Sequence, residues 1–314
     1  MNDRVSRRYF IETLGKASAV ACAGAIGCGA GNSGLLKPKQ LKEHGLSGDL
    51  VIVRGGEPKG MVEAAIEALG GIDKLVKTGD VVVVKPNMAW DRTPEQAATT
   101  NPAVVAAVVS LCLKAGARQV KVFDRTCNDA RRSYDSSGIA KAAEDAGATV
   151  SFVNDRKFRS MAIPKGVAIK EWPIYEDAAR ADVLLNIPIA KHHGISRLTL
   201  GFKNMMGIAG GNRGKWHPEI HQILADLATV SAVDLTIVDA YRILTDRGPA
   251  SGTPADVKLE GLLVAGIDPV AVDAYSSTIF GLKPEEVGFV RKANEHGLGE
   301  MNLDKIKRQH IELA

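Results

Sequence analysis

Cysteine is scarce in this chain, and its scarcity sets the first limit. Of four cysteines, Cys22 and Cys28 lie near the start, leaving Cys112 and Cys127, and no C-x-x-C pair occurs. The body of the chain therefore lacks the thiolates to hold an iron–sulfur cluster of its own. Cys112 sits in VVSLCLKAG, an apolar helical stretch where a thiol behaves as a small hydrophobe, and Cys127 follows an expected strand. A bridge between them is the alternative in an oxidising compartment. Aromatics make up only 5% of residues, and no basic run is interleaved with them. The net charge is +4, and Arg4, Arg7, Arg8 and Lys16 against Asp3 and Glu12 supply half of it within the first 27 residues. The remainder is too weakly basic for a nucleic-acid binder. The run GGNRGKW (210–216) is not a Walker loop, because a glycine is one place short and Trp216 stands where the magnesium-binding hydroxyl belongs. HPEIH (217–221) is not the HExxH of zinc hydrolases.

What is present suits a folded body: 45% of the 314 residues are hydrophobic and 24% charged, enough for one large core or two modest ones. Strand-like and helix-like segments alternate from residue 49. DLVIVRG (49–55) and DVVVVKPN (80–87) read as strands, the second apolar without a break and so buried on both faces. PKGMVEAAIEALGG (58–71) reads as a helix, as does NPAVVAAVVSLCLKAGA (101–117), where Asn101 suits the N-cap and Pro102 the first helical position. A strand over 119–125, a helix over 136–148 and a strand over 149–155 continue the pattern. Alternation over 156–180 predicts a hairpin added at a sheet edge. Strands follow at 181–191 and 233–244, with a helix over 217–232 between them, and 257–281 reads as a strand running into a helix. The fold class is α/β, a layered, mostly parallel sheet with helices on both faces. Residues 181–265 have the length for a second, smaller α/β lobe beside it.

In sheets of this kind ligands collect beyond the carboxyl ends of the strands. Polar loops fall there, and they place Lys85, Asn87, Thr100, Asp124, Arg125, Lys191, His193 and Asp239 on one expected rim. The run TLGFKNMMGIAGGNRGKWHPEIH (199–221) adds the rest. Lys203 stands in an apolar helical context that penalises its charged form unless it is paired. That suits an anion clamp, a base of lowered pKa or a covalent anchor, with snorkelling along its stem as the plainer alternative. Backbone N–H groups of Gly210, Gly211 and Gly214, helped by Arg213 and Lys215, form a candidate anion nest. His217 and His221 are spaced i and i+4 and would share a metal on one helix face if His192, His193, Asp226 or Asp239 completed the set. Alternatively His217 caps the helix ahead of Pro218. The candidate catalytic groups are thus His193 as acid or base, Lys203 and Lys191. Lys85, Asn87, Thr100, Asn204, Gly210, Gly211 and Arg213 are candidates for holding a ligand or cofactor, and His217, His221 and Asp239 for a metal.

The segments VVVKPNMA, ATTNPAVV, IPIAKHHGISRLTLGFKNMMG, IVDAYRI, RGPASG and GIDPVAVDAY resemble the family known as domain of unknown function 362. The resemblance puts Lys191, His193, Thr199, Gly201, Lys203, Asn204 and Gly207 in the family's central motif, and Asp226, Asp239, Pro249, Asp268 and Asp273 in its second half. Members are often joined to ferredoxin-like cysteine clusters, so it implies redox chemistry, with a separate iron–sulfur or other redox partner for a chain that lacks them. A looser likeness is to lactate racemases, which carry a nickel pincer cofactor on a lysine ahead of a proton-moving histidine. It implies a pre-loaded organometallic cofactor on Lys203, with His217 or His221 moving the proton.

Ser6-Arg7-Arg8 with Phe10, followed by a mild apolar run too short to span a bilayer, resembles a twin-arginine export signal. AIGC (25–28) resembles the lipobox of bacterial lipoproteins, with plain cleavage nearby as the alternative. The expected organisation is a signal over 1–27, a tether over 28–48 and an α/β domain over 49–314. The expected location is extracytoplasmic, with membrane contact only through a lipid on Cys28. The expected function is a metal- or cofactor-dependent redox or proton-transfer enzyme acting on a small anionic substrate. A non-catalytic anion-binding lipoprotein is the alternative.

Overall fold

The computed structural model describes residues 36–41 and 43–314. The export signal and the Cys28 lipobox lie outside the described residues. Among the described residues twelve strands run in chain order as β1 (Leu50–Arg54), β2 (Val81–Pro86), β3 (Gln119–Val122), β4 (Thr149–Val150), β5 (Phe158–Ala162), β6 (Glu171–Tyr175), β7 (Val183–Ile187), β8 (Ile189–His193), β9 (Arg197–Thr199), β10 (Leu235–Leu244), β11 (Val257–Gly266) and β12 (Arg308–Glu312). Ten of them form one sheet, in the order β12-β1-β11-β10-β7-β2-β3-β4, with β8 and β9 branching from β10. From β10 to β4 the pairs are parallel, while β11 runs antiparallel to both its neighbours. The sheet is therefore mixed, with its parallel part where the valine-rich strands fall.

Because successive strand residues face opposite ways, each strand feeds two cores. Val82, Val84, Leu185 and Ile237 pack on one face with the helices Pro58–Ala68, Pro102–Lys114 and Ile139–Asp145. Val83, Leu184, Val238 and Val264 pack on the other with Gly201–Asn204, Ile220–Ser231, Pro269–Thr278 and Gly288–Glu295. This double burial is why the sequence of β2 carries no polar alternation. Asn101 caps its helix as expected, its side chain accepting from the Ala103 N–H at 3.0 Å. Among the described residues no helix is long and apolar enough to cross a membrane.

Several sequence expectations need correction. β7, β10 and β11, from the region assigned room for a lobe, lie in the same sheet as β1 to β4. The smaller unit is instead the β5–β6 hairpin, a sheet of two strands rather than an addition to the main sheet's edge. The strand expected over 181–191 breaks at Pro188, whose ring lacks the N–H to continue a ladder, and resumes as β8. β8 pairs with the later half of β10 and turns back into β9. The helix expected from His217 begins at Ile220, after a 3-10 turn over Arg213–Glu219, so His217 does not cap it. Part of the expected tether is docked: Leu36 bridges to Met161, Lys39 pairs with Asp234 and Leu46 is buried. Cys112 and Cys127 are both free, the first buried and the second exposed.

Candidate active site

The loops after β2 and β3, the strands β8 and β9 and the short helix Gly201–Asn204 converge on one small cleft. Asn87, Trp90, Asp124, Arg125, Cys127, Lys191, His193, Thr199, Lys203, Asn204, Gly207, Arg213 and Pro249 are among its walls, around a cavity of about 50 Å³. That is room for the head of a small anion and far below the hundreds of Å³ of a drug-sized ligand site.

Behind the cleft lies a buried ion pair. Lys85 Nζ meets Asp124 Oδ1 at 2.9 Å, with Lys85 wholly buried and Asp124 nearly so. The ammonium also donates to Asn204 Oδ1 at 3.3 Å and to the Pro86 carbonyl, while Asp124 Oδ2 accepts the Met88 N–H at 2.9 Å. Burial still pulls the Lys85 pKa below its ordinary value, against the pull of Asp124. Gly207 closes over the pair: a Cβ there would fall 1.9 Å from Asp124 Oδ1 and 2.3 Å from Lys85 Cε, so only glycine fits. Asn204 is fully engaged, donating to the Lys85 carbonyl at 3.1 Å and to Asn186 Oδ1 at 2.8 Å.

In front of the pair the balance turns strongly positive. Lys191, Lys203, Arg125 and Arg213 face the cleft, and its one carboxylate, Asp124, is already held by Lys85. Lys191, on β8, donates only to the Ala98 and Pro249 carbonyls and lies over the Trp90 ring. Burial, then repulsion from Lys203, brings its pKa down to about 7. The Lys203 ammonium has no hydrogen-bond or ion-pair partner among the described residues, and burial brings its pKa down to about 8. Arg213 donates to the carbonyls of Arg125, Met206 and Thr126, and Arg125 to those of Ala209 and Gly211. Carbonyls orient these cations without neutralising them. Asn87 also lines the cleft, and its buried Oδ1 has no hydrogen-bond partner among the described residues.

His193 is held as one neutral tautomer. Its Nδ1 accepts the backbone N–H groups of Ile195 and Ser196 at 3.1 and 3.3 Å, which places the ring proton on Nε2. Burial, then the charges of Lys203 and Lys191, hold its pKa down to about 3, so the ring is neutral across the physiological range.

The other candidates take supporting places. Thr100 Oγ1 donates to the Ile187 carbonyl at 2.7 Å and accepts the Asn87 N–H at 2.8 Å, tying the β2 loop to β7. The glycine nest does not form as an anion cradle. The Gly210 N–H is taken by the Pro173 carbonyl and the Gly214 N–H by Asn212 Oδ1, while Gly211 gives its carbonyl to Arg125. The carboxylates of the second half hold backbone. Asp239 accepts the N–H groups of Asn101 and Tyr241, Asp226 those of Val167, Ala168 and Ile169, and Asp273 those of Gly201 and Phe202 at the start of the Lys203 helix. Burial raises Asp239 to about 6 and Asp273 to about 7.

The metal set is not assembled. His221 packs against Gly288 and Phe289, Asp239 is occupied as described, and His217 is the member near enough to bear on the charge of His193. Among the described residues no three His, Cys, Asp or Glu side chains gather to hold a metal. Among the described residues the donor set therefore does not fit a protein-held metal ion. Trp90, Cys127 and Pro249 were not anticipated as walls of the cleft. All three lie on polar loops that the strand pattern had located after apolar strands.

The lysines fix how a bound anion responds to pH. An anion favours the protonated amines, so its binding is full below about 7 and declines as pH climbs past about 8. Above that point affinity for inorganic phosphate or a short carboxylate should fall about tenfold per pH unit for each lysine titrating. Calorimetry at pH 8 in two buffers of different ionisation enthalpy should report proton uptake on binding. Binding that is flat from pH 6 to 10 would place the anion elsewhere.

Residues 82–278 match the family described as Domain of unknown function (DUF362). Over 241 residues, 74% of this chain and 73% of the other, the sequence is 28% identical to a thylakoid-associated protein of Synechocystis sp.. Among solved structures it is similar to a lactate racemase apoprotein from Thermoanaerobacterium thermosaccharolyticum, at 13% identity and a TM-score of 0.45 over 73% of this chain and 56% of that one. It is also similar to a protein from Thermotoga maritima, at 12% identity and a TM-score of 0.42 over 76% and 60% of the two chains. The chain thus spans little more than half the length of these two structures. The matched segment runs from β2 through the helix Pro269–Thr278 and takes in every lysine and arginine of the cleft, and by it the chain belongs to the DUF362 family.

Proposed function

We propose that this protein is an enzyme that binds a short carboxylate in the cationic cleft and moves a proton on it. One observation carries the reading: four cations face a small cavity whose single carboxylate is already paired, and two of them are lysines with pKa values brought down to about 7 and about 8. Arg213, Arg125 and protonated Lys203 hold the carboxylate. His193 donates through Nε2–H. Asn87 Oδ1 accepts from the ligand, which favours a substrate bearing a hydroxyl beside its carboxylate. Lys191, half deprotonated near neutrality, takes the proton and returns it. No step is given to a metal ion or to a cofactor on Lys203. Export by the twin-arginine route and lipid attachment at Cys28 are part of the proposal, supported by the N-terminal sequence. An intact mass of membrane-fraction protein without an added lipid would remove the anchor.

The test is proton NMR of short hydroxycarboxylates incubated with the protein in deuterium oxide. Catalysed exchange of the C–H proton beside the carboxylate is the expected result. Saturable binding with no exchange on any of them would leave a carboxylate-binding protein.

A further inference from the structure

The cleft holds more positive charge than one carboxylate can balance. Lys191, Lys203, Arg125 and Arg213 line it, and the one acid among its walls, Asp124, is taken up by its 2.9 Å pair with Lys85. None of the four cations has an ion-pair partner among the described residues. Burial and then the charge of Arg213 pull the Arg125 guanidinium below its ordinary pKa, and only Asp155, from outside the cleft, and Cys127 act the other way. The same repulsion runs through the set, from Arg213 to Lys203 and from Lys203 to Lys191. Like charges in a wall that partly excludes water repel more strongly than at an open surface. The two guanidinium groups also have N–H groups to give. Arg213 donates from Nη1 to the Arg125 carbonyl and from Nη2 to that of Thr126, both at 3.1 Å. Arg125 uses only Nη1, on the Ala209 and Gly211 carbonyls at 3.1 and 2.9 Å, so its Nε and Nη2 have no acceptor among the described residues. Both arginines are half-buried, whereas Lys191 and His193 are buried. The cleft thus has a deep end with an amine and an imidazole, and an outer end with two planar forks of the kind that match an acid group.

We propose that the substrate is a short 2-hydroxy acid bearing a second acid group, a dianion, with that second group held between Arg125 and Arg213. The proposal rests on the cleft being a carboxylate site. The reacting carboxylate shares the arginines with Lys203, and the second acid group takes the N–H groups left over. Two negative charges on one small molecule relieve the repulsion among the cations, which a monocarboxylate does only in part.

The experiment is titration calorimetry of the whole protein at pH 7 with malate and with its 4-amide, which keeps the size and the hydroxyl and loses one charge. Malate should bind at least about tenfold more tightly, and the ratio should shrink as ionic strength is raised toward about 1 M. A parallel pair, 3-phosphoglycerate against glycerate, tells a phosphate from a carboxylate as the second group. The double variant Arg125→Gln with Arg213→Gln should bring malate and its amide to within about twofold. The comparison in the unaltered protein stands even if that variant fails to fold. The proposal is overturned by any of three results: no saturable binding of either dianion, equal affinity for each dianion and its singly charged analogue, or a preference that survives in the folded double variant. The proton-transfer reading fails on a different result, the absence of C–H exchange. A cleft that exchanges the protons of monocarboxylates without preferring either dianion would lose the second acid group and keep that chemistry.

Discussion

Replacing Asp124 with asparagine is expected to lower the unfolding free energy by about 3–5 kcal/mol, the usual cost of removing one partner from a buried ion pair. The carboxylate sits 2.9 Å from Lys85 Nζ, and the lysine is wholly buried. Without it the ammonium keeps only neutral acceptors, Asn204 Oδ1 and the Pro86 carbonyl, in a place that already pulls its pKa down. Arg213 is close enough to add repulsion. Lys85 would shed its proton before accepting the full desolvation penalty, which is why the loss stays within that range. Replacing both members, Lys85→Met with Asp124→Leu, should recover most of the loss, because a buried pair exchanged for apolar groups of similar volume is close to neutral. Urea unfolding read as a midpoint shift at constant slope measures both variants. A single Asp124→Asn change costing under about 1 kcal/mol would mean that water reaches the pair.

The parts of this arrangement differ in how plainly the sequence carries them. DVVVVKPN announces β2 because both faces of a central strand are covered, and Lys85 and Asn87 follow at its carboxyl end, where ligands gather. Lys191, His193 and Lys203 were legible for a similar reason, as polar groups set into apolar segments. The direction of a buried side chain was not legible. His221 has the spacing of a ligand, but its helix turns it toward Phe289. Asp239 ends an apolar run, as a catalytic carboxylate would, yet its oxygens hold the N–H groups of Asn101 and Tyr241, and the first of these partners is 138 residues away in sequence. The glycines at 210 and 214 offered N–H groups whose acceptors, Pro173 and Asn212, depend on where the β5–β6 hairpin packs and on a local turn.

Lys191→Met should lower proton exchange by about 10²–10⁴-fold, the range for losing a positioned general base. Loss alone would not separate a base from an anion clamp, and Lys191→Arg does. The guanidinium keeps the charge and gives up no proton below about pH 12. Anion affinity should therefore survive in Lys191→Arg while exchange falls as far as in the methionine variant. Lys203 should show the reverse, because its part is to stay charged. In the unaltered protein the rate should rise as Lys191 deprotonates through about 7 and fall as Lys203 loses its charge above about 8. A bound carboxylate moves both limbs upward, and the two apparent values belong to the coupled pair rather than to either lysine. Lys203→Arg should then remove the alkaline limb and leave the acid one. Should Lys191→Arg retain full exchange, the proton must leave through a group other than Lys191.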